Sequence, residues 1–287
     1  MRLMAQIPIY YINLASRSDR RQAMEARFAT LGLQARRIEA VTPTTIAQND
    51  LDRYCDPRRY LWQTPTELAC SLSHVNALRA FLETGGLCAA IFEDDVLLSP
   101  RLPAFLDALT VLSPLPDLVK LETFNDVMLM ESHPGPNAGP IAFRKVFSRT
   151  NGSAGYVVSR MVAAQIADSV QLRMTQADTA LFNPHHYLSR HLDVVHADPA
   201  LCIQLHRWEP NQLDSPDSEI TAARAGRRAI ARRYRLHRDV RRLRELVEGW
   251  FWSAKEYWWK MRIKEKPRRI PFATDLGDDS SRTKQFG

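Results

Sequence analysis

A strand, a helix and a second strand follow one another in residues 7–41, whose sequence is IPIYYINLASRSDRRQAMEARFATLGLQARRIEAV. The apolar, β-rich run over residues 7–14 predicts a buried strand. In the polar segment that follows, Met24 and Phe28 lie at helical spacing before a glycine stop signal. Residues 35–41 then predict a second strand, and a β-α-β opening of this kind is typical of an open α/β sheet.

A second predicted helix leads into an acidic strand end. Its sequence, TPTELACSLSHVNALRAFLETGG over residues 64–86, begins with a capping box in which Glu67 lies three residues after Thr64. The next segment, LCAAIFEDDVLLSP over residues 87–100, runs from an apolar strand directly into three carboxylates. Because ligands of open α/β sheets bind at the carboxyl ends of strands, this strand end is the first candidate site.

The three adjacent acids at that strand end are Glu93, Asp94 and Asp95. Their charges repel one another unless a cation is bound. Hard divalent cations such as Mg²⁺ and Mn²⁺ favour carboxylate oxygen, and substrate phosphates often complete their coordination. The pattern therefore indicates a site for a metal ion and a diphosphate. A solvated acidic turn that closes a strand is the alternative interpretation of the same residues.

Charge is distributed unevenly along the 287-residue chain, although 45% apolar and 25% charged residues is an ordinary globular composition. Residues 1–220 carry 20 basic and 24 acidic side chains, a balance of −4. Residues 221–270 carry 17 and 5, a balance of +12, and residues 271–287 carry 2 and 3. We therefore expect a main domain over residues 1–220, a basic amphipathic helical tail over residues 221–270 and a disordered end over residues 271–287.

The predicted tail combines an apolar stripe with arginines and tryptophans, which is typical of helices that lie in a membrane interface. The stripe recurs every three or four residues, at Leu236, Val240, Leu243, Val247, Trp250, Ala254, Tyr257 and Met261. This pattern predicts binding to an anionic membrane surface. Two alternatives are that the stripe packs on the main domain, or that the arginines bind nucleic-acid phosphates without sequence specificity. No run of 18 apolar residues is present that would cross a bilayer.

Five segments resemble, in order, the blocks of glycosyltransferase family 25, the lipooligosaccharide glycosyltransferases. They are IPIYYINLASRSDRR, TPTELACSLSHVNAL, AAIFEDDVLLSP, GSAGYVVSRMVAAQI, and QADTALF with PALCIQ. Residues 218–220, Ser-Glu-Ile, resemble the family's late Ser-Asp-Ile, and Thr42-Pro43 stands where the family often has Asp-Gly. The resemblance covers residues 7–220 and leaves the basic tail outside.

This resemblance implies a GT-A-type fold, a Rossmann-like mixed α/β sheet flanked by helices. It also implies an inverting transfer of a hexose, typically galactose, from a UDP-sugar to a saccharide acceptor of bacterial lipooligosaccharide. The family's Asp-x-Asp-type motif falls on Glu93 and Asp95, which would bind Mn²⁺ or Mg²⁺ with His206 as a further ligand. Asp178, at a predicted helix start, is the candidate general base, with helix capping as its alternative role.

The resemblance assigns other side chains to the nucleotide-sugar donor. Asparagine and aspartate suit hydrogen bonds to uracil and ribose, and arginine suits phosphate. The donor-binding candidates are Asn13, Leu14, Asp19, Arg20, Ser73, His74, Glu93, Asp94 and Gln204. Helix capping is the alternative role for Asp19, and a core hydrogen bond is the alternative for His74.

Two other functions compete with this interpretation. A nucleic-acid-binding protein would use the arginine-rich tail, but the acidic strand end would then have no role, so we expect no nucleic-acid partner. A different metal-dependent nucleotidyl or phosphoryl transferase would release pyrophosphate from a nucleoside triphosphate rather than UDP from a UDP-hexose. Four cysteines without a CxxC pair favour reduced thiols. We expect a cytoplasmic protein, peripheral on the cytoplasmic face of the bacterial inner membrane.

Overall fold

The computed structural model describes residues 7–59, 61–208 and 267–274, and five single helical positions at residues 250, 251, 254, 258 and 261. Within these residues the chain forms a mixed α/β structure, which confirms the predicted fold class. The strands are β1 Ile9–Asn13, β2 Arg36–Glu39, β3 Cys88–Glu93, β4 Val96–Leu98, β5 Leu118–Lys120, β6 Glu122–Thr123, β7 Asn137–Ala138, β8 Ile141–Arg144, β9 Gly155–Ser159, β10 Val194–Asp198 and β11 Cys202–Gln204.

Helices flank these strands. They are α1 Ser18–Thr30, α2 Gln48–Tyr54, α3 Pro65–Leu82, α4 Leu102–Leu109, α5 Arg160–Asp168, α6 Gln171–Met174, α7 Ala177–Phe182 and α8 Leu205–Trp208, with 3₁₀ turns at Pro43–Thr45 and Ser189–His191. None of the helices among the described residues has both the length and the apolar character needed to span a membrane.

The described strands form two sheets. The larger has the order β2-β1-β3-β9-β5-β10-β8-β7, and the smaller has the order β4-β11-β6. Strands β2, β1 and β3 run parallel, β9 runs antiparallel to both β3 and β5, and β10 runs parallel to β5. Because β3 leads directly into β4 of the smaller sheet, the turn between them lies where the two sheets meet.

The β-α-β opening forms as predicted. Strand β1 pairs in parallel with β2, and Met24 and Phe28 of α1 are buried against the sheet. The residues of β1 are buried on both faces: Tyr10 packs into the cluster that includes Phe81 of α3, whereas Tyr11 packs into the cluster that includes Phe28 of α1. Alternate side chains of a strand point to opposite faces, so β1 becomes a central strand covered on each side by a helix.

Helix α3 begins with the predicted capping box. The backbone N–H of Thr64 donates to the Glu67 carboxylate at 2.9 Å, and the N–H of Glu67 donates to the Thr64 hydroxyl at 3.2 Å. The first N–H groups of a helix have no partner within the helix, and Pro65, at the first helical position, has no N–H to satisfy. This cap fixes the start of the helix that carries Ser73 and His74.

Residues 267–274 pack against the main domain. Ile270 and Ala273 are 2% and 3% exposed, and the Thr123 hydroxyl donates to the Ile270 carbonyl at 2.7 Å. Residues 271–274 fall within the end predicted to be disordered, and the structure gives them defined contacts instead. The predicted tail, apart from the five single positions and residues 267–270, lies outside the described residues.

Candidate active site

The acids Asp94 and Asp95 occupy the turn that joins β3 to β4, and Glu93 ends β3. The backbone N–H of Leu205 donates to the Asp95 carbonyl at 2.8 Å, which holds the start of α8 against this turn. The predicted acidic strand end therefore lies at a sheet junction rather than on an isolated surface loop. We refer to residues 93–95 as the acidic turn.

Asn13, at the end of β1, binds the acidic turn. Its side-chain N–H₂ donates to Asp94 at 2.7 Å and to the Arg17 carbonyl at 3.0 Å, while its Oδ1 accepts from Arg37 at 2.9 Å. Asn13 is 1% exposed, so all of its side-chain hydrogen bonds lie inside the protein. In this arrangement Asn13 positions Asp94.

Arg20, on the first turn of α1, faces the same acids. Its Nη1 lies 3.1 Å from Asp94 Oδ1 and 3.6 Å from Asp95 Oδ2. Asp19 instead forms an exposed pair with Arg17 at 2.6 Å, and this hydrogen-bonded partner lowers the pKa of the Asp19 carboxyl. The half-buried Leu14 precedes this segment. The loop after β1 thus brings Arg20 to the acidic turn and leaves Asp19 at the surface.

The Asp95 carboxylate has an oxygen with no partner. Its Oδ1 is buried and accepts no hydrogen bond from the described residues. Burial first, and then the charge of Glu93, raise the pKa of Asp95 to about 7. A half-buried acid with one unpartnered oxygen that faces other acids is an environment in which a divalent cation would restore charge balance. The carboxylates of the acidic turn therefore have the chemistry that a hard cation prefers, but the ligand atoms of Glu93, Asp95 and His206 are not among the described groups of three that lie within 4.8 Å of one another.

His74 is fully buried and contacts Glu93 rather than the surface. Its Nε2 lies 3.3 Å from Glu93 Oε1, and its Nδ1 lies 3.1 Å from the Tyr156 hydroxyl. The Ser153 hydroxyl donates to the same Glu93 oxygen at 3.2 Å. Although burial opposes the effect, these hydrogen bonds from His74 and Ser153 lower the pKa of Glu93. His74 therefore positions Glu93 from inside the core.

Within the described part of the chain, the Ser73 hydroxyl forms its hydrogen bonds with backbone groups. Its hydroxyl donates to the Ala69 carbonyl one turn earlier at 2.8 Å and accepts from the Val41 N–H at 2.8 Å. Ser73 is 2% exposed. It therefore joins α3 to the segment that follows β2.

A second set of possible metal ligands includes Glu93 of the acidic turn. Ligand atoms of Cys70, His74 and Glu93 all fall within 4.8 Å of one another. Cys70 and His74 share one face of α3 because they lie four residues apart. A thiolate and an imidazole favour softer cations than the carboxylates of the acidic turn do. The set shares Glu93 with the predicted hard-cation site.

Residues 151–154, between β8 and β9, connect several charged side chains. The Lys120 ammonium donates to the carbonyls of Asn151 and Gly152, and the N–H of Gly152 donates to Asp178 at 3.3 Å. The N–H of Ala154 donates to Glu122 at 2.9 Å. Ser153, as described above, donates to Glu93. This hub segment, residues 151–154, therefore places Asp178 at the same edge of the sheet as the acidic turn.

Asp178 lies in the first turn of α7. Besides the Gly152 N–H, its carboxylate accepts from the backbone N–H of Thr179 at 2.6 Å and from the Thr179 hydroxyl at 3.3 Å. The residue at the N-cap position itself is Gln176. The predicted general base is therefore half-buried, near Lys120, and held by two segments of chain.

Lys120 and Glu122 are charged site residues that the sequence analysis missed. They are 2% and 3% exposed, and the Lys120 ammonium lies 3.8 Å from Glu122. Burial raises the pKa of Glu122 and lowers the pKa of Lys120, since neither charge is fully hydrated. The available signal was two opposite charges, two positions apart, within the apolar strand sequence LVKLET.

The late candidates Gln204 and His206 lie beside the acidic turn. Gln204 ends β11 and pairs with Val96 of β4, directly after Asp95. His206 follows on α8 and is exposed, and desolvation, Arg207 and Arg20 lower its pKa. The fold thus brings His206 to the neighbourhood of Arg20 and the acidic turn.

The fold and the site place this chain among the α/β proteins, in which ligands bind at the carboxyl ends of the strands, where the acidic turn lies. The family model of glycosyltransferase family 25 (LPS biosynthesis protein) matches residues 6–181. The chain belongs to this family, and it is a glycosyltransferase, as predicted. Membership implies a nucleotide-sugar donor and a saccharide acceptor.

Individual relatives agree with this assignment. The lacto-N-neotetraose biosynthesis glycosyltransferase LgtB of Neisseria gonorrhoeae is 30% identical over 208 residues, which cover 68% of this chain and 73% of that protein. The lipooligosaccharide biosynthesis protein lic2B of Haemophilus influenzae is 24% identical over 71% of this chain and 78% of its own length. The procollagen galactosyltransferase 1-A of Xenopus laevis is 30% identical over 31% of this chain and 16% of its own length.

Proposed function

We propose that this chain is a metal-dependent, inverting hexosyltransferase. It transfers a hexose, most simply galactose, from a UDP-sugar to a saccharide acceptor of bacterial lipooligosaccharide. The donor sugar draws support from the Xenopus relative, which is a galactosyltransferase, and the acceptor from the Haemophilus relative, which acts in lipooligosaccharide biosynthesis. The family assignment alone fixes neither.

The unpartnered oxygen of Asp95 is the observation that carries the proposed metal dependence. Asp95 and Glu93 would hold Mn²⁺ or Mg²⁺, and His206 on α8 would be a further ligand. Asp94 is less available, because its two oxygens already accept from Asn13 and Arg20. The bound cation would neutralise charge that develops on the leaving UDP.

Residues of this chain perform the other parts of the transfer. In an inverting transfer the acceptor oxygen bonds to C1 of the hexose while the bond from C1 to the UDP oxygen breaks. The proton of the acceptor hydroxyl passes to Asp178, the proposed base. Arg20, beside the acidic turn, provides a cation for the diphosphate. His74 and Asn13 act by positioning Glu93 and Asp94.

A donor screen tests this proposal directly. UDP release from UDP-galactose, UDP-glucose and their N-acetylated forms is measured with extracted lipooligosaccharide as acceptor, with Mn²⁺ and with EDTA. We expect release from UDP-galactose that requires the cation and the acceptor. Release of pyrophosphate from a nucleoside triphosphate, with no turnover of any UDP-hexose, would instead favour a nucleotidyl transferase. Full turnover in EDTA would contradict the metal dependence.

We also propose that the basic tail binds this protein to an anionic membrane surface. Trp250 and Met261 of the predicted apolar stripe are helical and are 73% and 70% exposed. Trp208 and residues 267–274, on either side of the basic segment, both pack on the main domain, and the rings of Trp208 and Phe272 lie 5.4 Å apart. The basic segment between these points is therefore tethered at both ends. Membrane binding would hold the main domain close to a lipid-linked acceptor.

Vesicle binding tests this membrane contact. The full chain should bind vesicles containing phosphatidylglycerol in a salt-sensitive manner and should bind pure phosphatidylcholine weakly. Arg241→Gln with Arg242→Gln should weaken binding by roughly tenfold or more, at about 1 kcal/mol per charge. The matched control, Arg58→Gln with Arg59→Gln, removes the same charge from the main domain. Equal loss in both pairs would contradict a role for the tail.

A deletion sharpens the vesicle test. Replacing residues 221–266 with a Gly/Ser linker removes the basic segment and keeps the packed residues 267–274. This protein should lose vesicle binding and retain turnover of a soluble acceptor analogue. Undiminished vesicle binding would mean that the membrane contact lies on the main domain.

A further inference from the structure

Two side chains of helix α3 and one of the acidic turn bring metal-ligand atoms close together. The Cys70 sulfur, an imidazole nitrogen of His74 and a carboxylate oxygen of Glu93 all lie within 4.8 Å of one another. In the part of the chain that the structure describes, no other three Cys, His, Asp or Glu side chains bring their ligand atoms this close. One cation can therefore contact all three side chains after small movements.

The spacing of His74 and Glu93 equals that of two ligands on one ion. His74 Nε2 lies 3.3 Å from Glu93 Oε1. Nitrogen and oxygen ligands at their usual distances from a tetrahedral Zn²⁺ are about 3.3–3.4 Å apart, and a sulfur ligand lies about 3.6 Å from either of them. The Cys70 sulfur, within 4.8 Å of both ligand atoms, therefore needs to move at most about 1.2 Å closer to each.

Tyr156 orients His74 in the way that metal-binding histidines require. The Tyr156 hydroxyl lies 3.1 Å from His74 Nδ1, and both residues are fully buried. When Nε2 binds a cation, the proton of the neutral imidazole is on Nδ1, and this N–H donates to the tyrosine oxygen. On the carboxylate side, the Ser153 hydroxyl donates to Glu93 Oε1 at 3.2 Å. Residues outside the group thus hold two of its three ligands.

An ion can reach this group from solvent. Cys70 is half-buried, and the Glu93 side chain is 22% exposed, whereas His74 is fully buried between them and Tyr156. A cation that enters beside Cys70 and Glu93 therefore meets an imidazole that is already fixed from behind. Three protein ligands leave the fourth tetrahedral position to a water molecule.

The donor set indicates the chemical class of the cation. A thiolate and an imidazole favour Zn²⁺ over Mg²⁺ and Mn²⁺, which prefer oxygen ligands. On binding, the Cys70 thiol releases its proton to solvent as its sulfur bonds to the ion. The thiolate and the Glu93 carboxylate then balance the two charges of Zn²⁺, so the site is neutral once it is filled.

We propose that Cys70, His74 and Glu93 bind Zn²⁺, and that this ion inhibits the enzyme by taking Glu93 from the hard-cation site. Zinc binding stands on the three ligands alone, whereas the inhibition rests on the proposed function, in which Glu93 binds Mn²⁺ or Mg²⁺. Two dications that share one carboxylate repel each other. Zn²⁺ and Mn²⁺ therefore bind antagonistically.

Cobalt spectroscopy tests the site without an activity assay. Co²⁺ prefers the same ligands as Zn²⁺, and its bond to a thiolate gives a charge-transfer absorption in the near ultraviolet. The full-length wild-type chain should show this absorption when titrated with Co²⁺, and Zn²⁺ should remove it. Cys70→Ser and Cys70→Ala should lose the absorption and bind Zn²⁺ about 100-fold or more weakly. Cys55→Ser, which alters a half-buried thiol outside the group, is the matched control and should keep it.

Two further measurements keep this test decisive. Tyr156→Phe removes only the hydroxyl that orients His74 and should weaken Co²⁺ binding by about 10–100-fold. If neither Cys70 variant folds, alkylation of the wild-type chain by iodoacetamide, followed by peptide mass spectrometry, decides the question, because Zn²⁺ should protect Cys70. A wild-type chain without the thiolate absorption, an absorption that persists in Cys70→Ala, or Cys70 alkylation that Zn²⁺ does not slow would refute the site.

Inhibition is measured as UDP release at a fixed Mn²⁺ concentration while Zn²⁺ is raised. Wild type and Cys55→Ser should be inhibited, and more Mn²⁺ should relieve the inhibition. Cys70→Ala should need about 100-fold more Zn²⁺ for the same effect. Equal inhibition of all three proteins would overturn the inhibitory role. If the wild-type chain turns over no UDP-hexose, the proposed function fails, and the Co²⁺ spectrum still decides whether the zinc site exists.

Discussion

The side-chain amide of Asn13 donates a 2.7 Å hydrogen bond to Asp94, a residue 81 positions later in the chain. Through this bond the end of β1 holds the acidic turn that follows β3. Arg20 reinforces the contact from α1 at 3.1 Å. Asn13 and Arg20 thus hold the turn in place. Neither of them binds Oδ1, the unpartnered oxygen of Asp95. Asp95 can therefore be altered with little effect on the shape of the site.

Asp95→Asn should abolish most turnover and leave the fold intact, because it removes the charge proposed to bind the cation. EDTA should abolish wild-type activity, and Mn²⁺ or Mg²⁺ should restore it. Activity is measured as UDP release and folding by circular dichroism. A fully active Asp95→Asn protein would refute the assignment.

The stability of the metal-free protein should decrease as the pH rises from about 4 to about 7. In the folded state the pKa of Asp95 is raised to about 7, whereas an unfolded aspartate has a pKa near 4. Between these values the folded state holds a proton that the unfolded state has released, so rising pH favours unfolding. Thermal unfolding in EDTA should show this slope, and Asp95→Asn should reduce it. An equal slope in both proteins would place the effect on another acid.

Asp178→Asn should lower turnover by about 10²–10⁴-fold, the usual contribution of general-base catalysis. Asparagine keeps one acceptor oxygen for Thr179 and loses only the acceptor of the 3.3 Å bond from the Gly152 N–H, so the fold should be kept and the affinity for UDP should stay nearly unchanged. Turnover at saturation and UDP affinity by calorimetry separate these effects. If UDP affinity collapses while turnover at saturation is normal, Asp178 belongs to donor binding.

Gly152→Ala should destabilise the protein by about 1–3 kcal/mol, as overpacking of a closely packed region does. The residue has a φ of +82°, and an added Cβ would lie 2.2 Å from Phe124. Gly85→Ala is the matched control, since an added Cβ there meets no atom within 4 Å. Urea unfolding of the two variants measures the difference. Equal stability would show that the chain around Gly152 moves at little cost.

Ile270→Ala should destabilise the main domain by about 2–5 kcal/mol, the usual cost of removing a buried isoleucine side chain. Ile270 is 2% exposed and packs with Met128, Met130, Val146 and Ala200. Truncation after residue 266 should cost at least as much, whereas truncation after residue 274 should cost little. Denaturant unfolding checks all three. An unchanged free energy of unfolding in Ile270→Ala and in the truncation after residue 266 would mean that residues 267–274 do not contribute to the stability of the main domain.

The sequence by itself determined the elements whose signals are local. The apolar periodicity of residues 7–41 predicted the β-α-β opening, and the Thr64–Glu67 capping box fixed the start of α3. The acidic strand end was also visible, because an apolar run and three acids are adjacent in the chain. Local hydrogen bonding and side-chain periodicity are sufficient to specify such features.

Only the tertiary structure decided which of these side chains meet. Glu122 binds Ala154, 32 residues away, and the Thr123 hydroxyl binds Ile270, 147 residues away. Asn13 was predicted to contact the donor from its place after β1, and only the fold shows that its side chain hydrogen-bonds to Asp94 and Arg37. Contacts of this kind depend on how the sheets bring distant segments together. No local sequence pattern predicts which distant residue a given side chain contacts.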